Sequence, residues 1–113
     1  MNGSTLFGGT VLTCEDSSVI ENGAVVIDGE KIAWVGQTAA LPESYRSEKY
    51  TQTDVSGMTV MPGLVDAHMH ISFGEAASEE ELSIYTPAEY RAIRAAVDAE
   101  KVLLRGITSS CDP

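Results

Sequence analysis

Residues 60–70 read Val60-Met61-Pro62-Gly63-Leu64-Val65-Asp66-Ala67-His68-Met69-His70, and both histidines of the chain lie in this stretch. Pro62-Gly63 is a turn signal, so a strand is expected to begin near Leu64 and run to Ile71. On a strand, successive side chains point to opposite faces. Asp66, His68 and His70 then share one face, and Val65, Ala67 and Met69 the other. Two imidazoles at i and i+2 stand roughly 6.5–7 Å apart at their Cα atoms. Their rings can lean together and reach one metal ion through ~2.1 Å nitrogen bonds. His-x-His by itself is a weak signal, since two polar residues on a solvated strand face also produce it. Leu64-Val65 and Ile71, however, make this strand apolar on both faces, as in the centre of a parallel sheet. Imidazoles buried there need partners, and a shared metal ion is the simplest one.

Downstream, Ser72-Phe73-Gly74 opens a loop, and residues 75–82 carry Glu75, Glu79, Glu80 and Glu81. Such a run reads as solvated surface rather than a cation site. Thr86-Pro87-Ala88-Glu89 has the form of a capping box, with Thr as the cap, Pro at the first helical position and Glu three residues after the cap. The helix is expected to run to about Arg105 and to stop at Gly106. Ile93, Ala96, Val97, Leu103 and Leu104 recur at helical spacing and read as a core stripe. Residues 106–112 follow as a second strand, which makes strand, helix and strand one βαβ unit.

Upstream, Leu6-Phe7 and Val11-Leu12 flank Gly8-Gly9, a strand with a bend or bulge. Residues 15–22 are polar and turn-like. Ala24-Val25-Val26-Ile27 and Lys31-Ile32-Ala33-Trp34-Val35-Gly36 flank Asp28-Gly29-Glu30, a hairpin signal. Residues 38–49 read as a loop with one helical turn from Pro42, residues 51–55 as a short strand, and Ser56-Gly57 as a turn.

Met61-Pro62-Gly63-Leu64-Val65-Asp66-Ala67-His68-Met69-His70 resembles the first barrel strand of the amidohydrolase superfamily. Its Pro-Gly-hydrophobic-hydrophobic-Asp-x-His-x-His pattern is far more specific than His-x-His. Residues 21–32 resemble the sandwich hairpin that precedes the barrel in many amidohydrolases, and residues 103–112 resemble the passage into the second barrel strand. Imidazolonepropionase-like and dipeptidase-like branches are the most similar. The resemblance implies an α/β chain in two parts. Residues 1–61 would be a small N-terminal β-sandwich portion, and residues 62–113 the first β/α unit and second strand of a (β/α)8 TIM-like barrel. It implies His68 and His70 as metal ligands. The metal would be divalent, zinc first among the candidates, with one or two ions in the complete enzyme. The activity implied is hydrolysis of a carbon–nitrogen bond in a small-molecule substrate by metal-activated water. The family's other ligands, a carboxylated Lys or a Glu, two further His and an Asp, come from later strands. Asp66 matches the family's Asp and would either orient an imidazole or hydrogen-bond backbone. Asp112 reads as a loop or site-wall residue.

A barrel of this kind needs about 250 residues and the chain has 113, so it is expected to be the N-terminal part of a longer protein, inactive alone. Its exposed sheet edges would then favour self-association. The formal net charge of −10, from 17 acidic and 7 basic side chains, disfavours a nucleic-acid surface and gives no attraction to an anionic membrane. Cys14 and Cys111 show no C-x-x-C spacing and read as small buried residues in a reducing cytoplasm. Two other readings stay open: a non-enzymatic acidic α+β interaction module with structural histidines, and part of a mononuclear-metal deaminase with the same histidine pair.

Overall fold

The computed structural model describes residues 3–74 and 76–112. Glu75 of the acidic loop and the terminal Pro113 lie outside the described residues. The fold is mixed α/β with a sheet-rich N-terminal part, and the chain separates into two compact units, residues 1–62 and 63–113.

In the first unit, strands β1 (Gly3–Leu12), β2 (Val19–Asp28), β3 (Lys31–Gln37) and β4 (Tyr50–Asp54) form a sheet in the order β3-β2-β1-β4. The short β5 (Thr59–Val60) pairs with the far end of β1. β1, β2 and β3 are antiparallel neighbours, whereas β4 and β5 run parallel to β1. The expected hairpin is present: Asp28 pairs with Lys31, and Gly29 takes φ +63° in the two-residue turn. The Gly8-Gly9 bulge is present as well, with register shifts on either side of Gly9 and Gly8 at φ +88°. It has a packing consequence. Leu6 and Val11 are five apart, so strict alternation would put them on opposite faces. The extra residue lets both line one apolar groove of about 400 Å³ with Val25, Ile27 and Val35.

The opposite face of this sheet carries the core. Ala24 and Val26 are fully buried beneath Leu41 and Tyr50, with Phe7, Trp34 and Tyr45 packed around them. The segment between β3 and β4 folds over this face as two 3-10 turns, Thr38–Ala40 and Glu43–Arg46. Thr5, also fully buried, donates its hydroxyl to the Tyr45 carbonyl at 3.0 Å, which joins that cover to the sheet. Among the described residues the strands of this unit make one sheet rather than two packed layers. β2 also begins earlier than the polar composition of residues 15–22 implies. Val19 and Ile20 extend the ladder opposite Leu12 and Val11, and the Thr10 hydroxyl donates to the Glu21 carboxylate.

The Tyr50 hydroxyl donates to Asp28 Oδ2 at 2.8 Å, with Lys49 Nζ 3.6 Å from the same oxygen. The phenol, and then Lys49, hold the Asp28 carboxyl below its ordinary 3.8. A depressed carboxylate contributes stability above its unfolded pKa and loses it as pH falls through the folded value. Tyr50→Phe is therefore expected to destabilise the chain at neutral pH and to differ less from wild type once Asp28 is protonated. Urea unfolding at pH 7 and at acid pH checks this.

The second unit holds β6 (Leu64–Asp66), α1 (Ala88–Leu104) and β7 (Ile107–Ser110), with β6 and β7 parallel. The helix ends as expected, with Gly106 at φ +88° donating to the Leu103 carbonyl. Its start differs from the expected capping box. Pro87 occupies the cap position and no side chain caps it, because the Thr86 hydroxyl instead donates to the Glu81 carbonyl of the preceding π-helical turn, Glu81–Tyr85. The capping-box chemistry appears at Ser78–Glu81: the Glu81 N–H donates to Ser78 Oγ, and the Glu81 carboxylate accepts the Ala77 N–H. Part of the acidic run thus caps the start of a helical turn.

The expected core stripe on α1 is not buried within this chain. Ile93, Val97, Leu103 and Leu104 are exposed, and Arg91, Arg94, Ala95, Asp98 and Val102 form the more sheltered side. β6 carries the same correction. Leu64 and Val65 are exposed rather than buried in the middle of a sheet, because β7 is the only strand pairing with β6 among the described residues. Cys14 and Cys111 are likewise exposed and unpaired with each other.

Candidate metal centre

Parallel pairing puts the C-terminal ends of β6 and β7 side by side, the end of a parallel sheet at which ligands gather. At Gly63, just before β6, a Cβ would collide with the Thr108 side chain, so glycine lets the two strands enter the pair closely. The β6 ladder stops at Asp66, short of the expected Ile71. The reason is local. Asp66 Oδ1 accepts the His68 N–H at 3.1 Å, a side-chain-to-backbone turn that takes the chain out of extended geometry. Two backbone bonds hold the bent segment against the other strand end: Cys111 N–H to the Asp66 carbonyl at 3.0 Å, and Met69 N–H to the Cys111 carbonyl at 2.9 Å.

His68 and His70 therefore lie beyond the strand, yet their rings converge. The Nε2 atoms are 3.2 Å apart, and the ring centroids are 4.9 Å apart with planes 85° to each other. Two nitrogens each ~2.05 Å from a tetrahedral zinc ion stand about 3.3 Å apart. The pair fits that requirement in both atom type and separation. Without an ion, the same approach permits one N–H···N hydrogen bond, with the tautomers deciding which ring donates. The His70 ring is further fixed by Phe73, stacked at 4.5 Å and 22°. Among the described residues no group of three or more His, Cys, Asp or Glu is arranged to hold a metal ion, so this chain presents a pair of donors and not a complete coordination sphere.

Residues 23–46 match the model of a bacterial imidazolonepropionase-like composite domain. The chain is 46% identical over 71 residues to an imidazolonepropionase from Roseobacter denitrificans, covering 62% of this chain and 17% of that protein. It is 33% identical over 106 residues to an imidazolonepropionase from Erwinia tasmaniensis, covering 92% of this chain and 25% of the relative. The chain's relatives are imidazolonepropionases, and its structural neighbours are amidohydrolase-superfamily proteins. The crystal structure of Aspergillus niger ochratoxinase superposes on 98% of the chain with a TM-score of 0.83 and 28% identity, over 25% of its own length. The chain thus spans about a quarter or less of the length of these three proteins.

The structure brings together both histidines that the motif marks, and Asp66 contacts the backbone of His68 rather than joining the ring pair. Asp66 accepts a backbone N–H; the carboxylate beside a histidine ring is Asp112, whose Oδ1 is 3.4 Å from His70 Nδ1. From the sequence alone Asp112 is expected only as a loop or site-wall residue. The signal that could have promoted it is its position at the end of the second strand, level with the histidines once the two strands run parallel. Phe73 was missed for want of any motif around it. No helix among the described residues is long and apolar enough to cross a membrane.

Proposed function

We propose that His68 and His70 are two ligands of a divalent-metal site that hydrolyses a carbon–nitrogen bond in a small-molecule substrate. The observation that carries the proposal is the 3.2 Å approach of the two Nε2 atoms beside the end of a parallel strand pair. On this reading residues 1–61 belong to a β-sandwich and residues 62–113 begin a (β/α)8 barrel, whose active sites lie at the C-terminal ends of the strands. Two neutral imidazoles suit zinc, and also iron, nickel or cobalt. When bound, the ion lowers the pKa of a water molecule and polarises the scissile carbonyl. The chain's own part is to hold two nitrogens convergent: the Asp66 turn bends the backbone, and the 69–111 and 111–66 bonds keep the bend against β7. A catalytic site of this type takes at least three protein ligands and an open position. The 113 residues alone are accordingly expected to hydrolyse nothing, with or without added metal. The name of the relatives points to a cyclic amide such as imidazolonepropionate as the substrate class, and the setting would be the cytoplasm.

The test is a chimera in which this chain replaces the matching N-terminal residues of the Roseobacter denitrificans relative. Metal-dependent turnover of imidazolonepropionate is the expected result. A chimera that folds and binds metal but leaves imidazolonepropionate intact would refute the substrate class. One that folds but binds no metal would refute the site.

A further inference from the structure

We propose that Asp112 is a positioning residue that sets the tautomer of His70, a role that rests on the metal-pair reading above. One carboxylate oxygen lies 3.4 Å from His70 Nδ1, and the other accepts the Ile71 N–H at 3.2 Å. The carboxylate thus spans the ring and the backbone just after it. It is not free to drift, because the neighbouring Cys111 is bonded through both its N–H and its carbonyl to residues 66 and 69. Phe73 stacks on the ring and limits its rotation.

The chemistry follows from what each atom can do. An ionised carboxylate only accepts, and a neutral imidazole carries one N–H. Facing Asp112, the proton of His70 resides on Nδ1. That leaves the lone pair on Nε2, the atom that points at His68 Nε2. A carboxylate behind a ligating imidazole fixes its orientation and raises its basicity. The 3.4 Å separation is long for such a bond; drawing the ring's electron density toward an ion on Nε2 makes Nδ1–H a stronger donor and is expected to shorten it. Asp66, two residues before the first histidine, is turned to the backbone instead, its Oδ1 accepting the His68 N–H.

The experiment is nitrogen-15 NMR of the imidazoles of the 113-residue chain, without metal and during zinc titration, in wild type, Asp112→Ala and Asp112→Asn. In wild type, His70 is expected as the Nδ1–H tautomer, with zinc shifting the Nε2 signals of both His68 and His70. Asp112→Ala should release His70 into a mixture of tautomers and weaken zinc binding by about 10–100-fold. Asp112→Asn keeps one acceptor oxygen and is the variant more certain to fold; it should retain the tautomer and lose a smaller part of the affinity. An unchanged His70 tautomer in Asp112→Ala, or zinc affinity equal to wild type in both variants, overturns the role of Asp112 and leaves the histidine pair standing. A wild type in which zinc moves neither histidine overturns the metal-pair reading, and this proposal with it.

Discussion

In the chimera carrying residues 1–113, His68→Ala and His70→Ala are each expected to lower kcat/KM by at least ~10³-fold, about 4 kcal/mol of transition-state stabilisation. Each substitution deletes one of the two nitrogens that the chain contributes, and a site short of a donor holds its ion less tightly and in the wrong geometry. Little stability should be lost with it. Both rings lie outside the strand, and the bonds that the Asp66 and Asp112 carboxylates and main-chain groups make to the backbone of their loop all remain; His70→Ala gives up in addition only the ring's contacts with Asp112 and Phe73. Metal content and circular dichroism therefore separate the outcomes: folded protein with lost metal and lost turnover is the expected pattern. Variants that keep their metal and lie within tenfold of the parent would show that the imidazoles are not ligands.

The second large effect concerns α1. Tyr90, Ile93, Val97 and Leu104 fall at helical spacing and are 55%, 69%, 48% and 79% exposed, whereas Arg91, Arg94 and Asp98 occupy the sheltered side. An amphipathic helix normally does the reverse. Burying a large apolar side chain is worth ~1.5–3 kcal/mol, so four left in water are a strong incentive to associate. The exposed edges of the two-stranded β6–β7 sheet add unpaired backbone groups. Light scattering of the isolated chain is expected to show self-association. Ile93→Glu combined with Leu104→Lys should weaken it more than tenfold, without loss of the Gly106 helix stop, which neither residue touches. A monodisperse wild-type monomer with sharp thermal unfolding would contradict this.

Local rules carried much of the first unit. The Gly29 hairpin, the Gly8 bulge and the turn at Ser56-Gly57 all follow from residues that tolerate positive φ or pre-set a turn. The helix stop at Gly106 is of the same kind. What failed was set by competition between neighbours. Thr86 looked like a cap but found a nearer acceptor in the Glu81 carbonyl, while Ser78 and Glu81 used the same pattern one helix earlier. The histidine strand is shorter than alternation predicts, because alternation says nothing about an Asp that can fold its carboxylate onto the amide two residues on. β6 and α1 are less buried than their apolar patterns predict, because such a pattern records what a segment can pack against, not what stands beside it in these 113 residues. Asp112 was out of reach for a different reason. Its partner is 42 residues away, and only the parallel register of β6 and β7 brings them together.

X-ray absorption at the zinc edge, on the chain loaded with one equivalent of zinc, tests the histidine pair most directly. Two imidazole nitrogens at ~2.0–2.1 Å, with the outer-shell scattering of intact rings and the remaining positions filled by oxygen, is the expected spectrum. In His68→Ala the imidazole count should fall to one. A wild-type spectrum of oxygen ligands alone, unchanged in His68→Ala, would show that these two converging rings do not hold a metal.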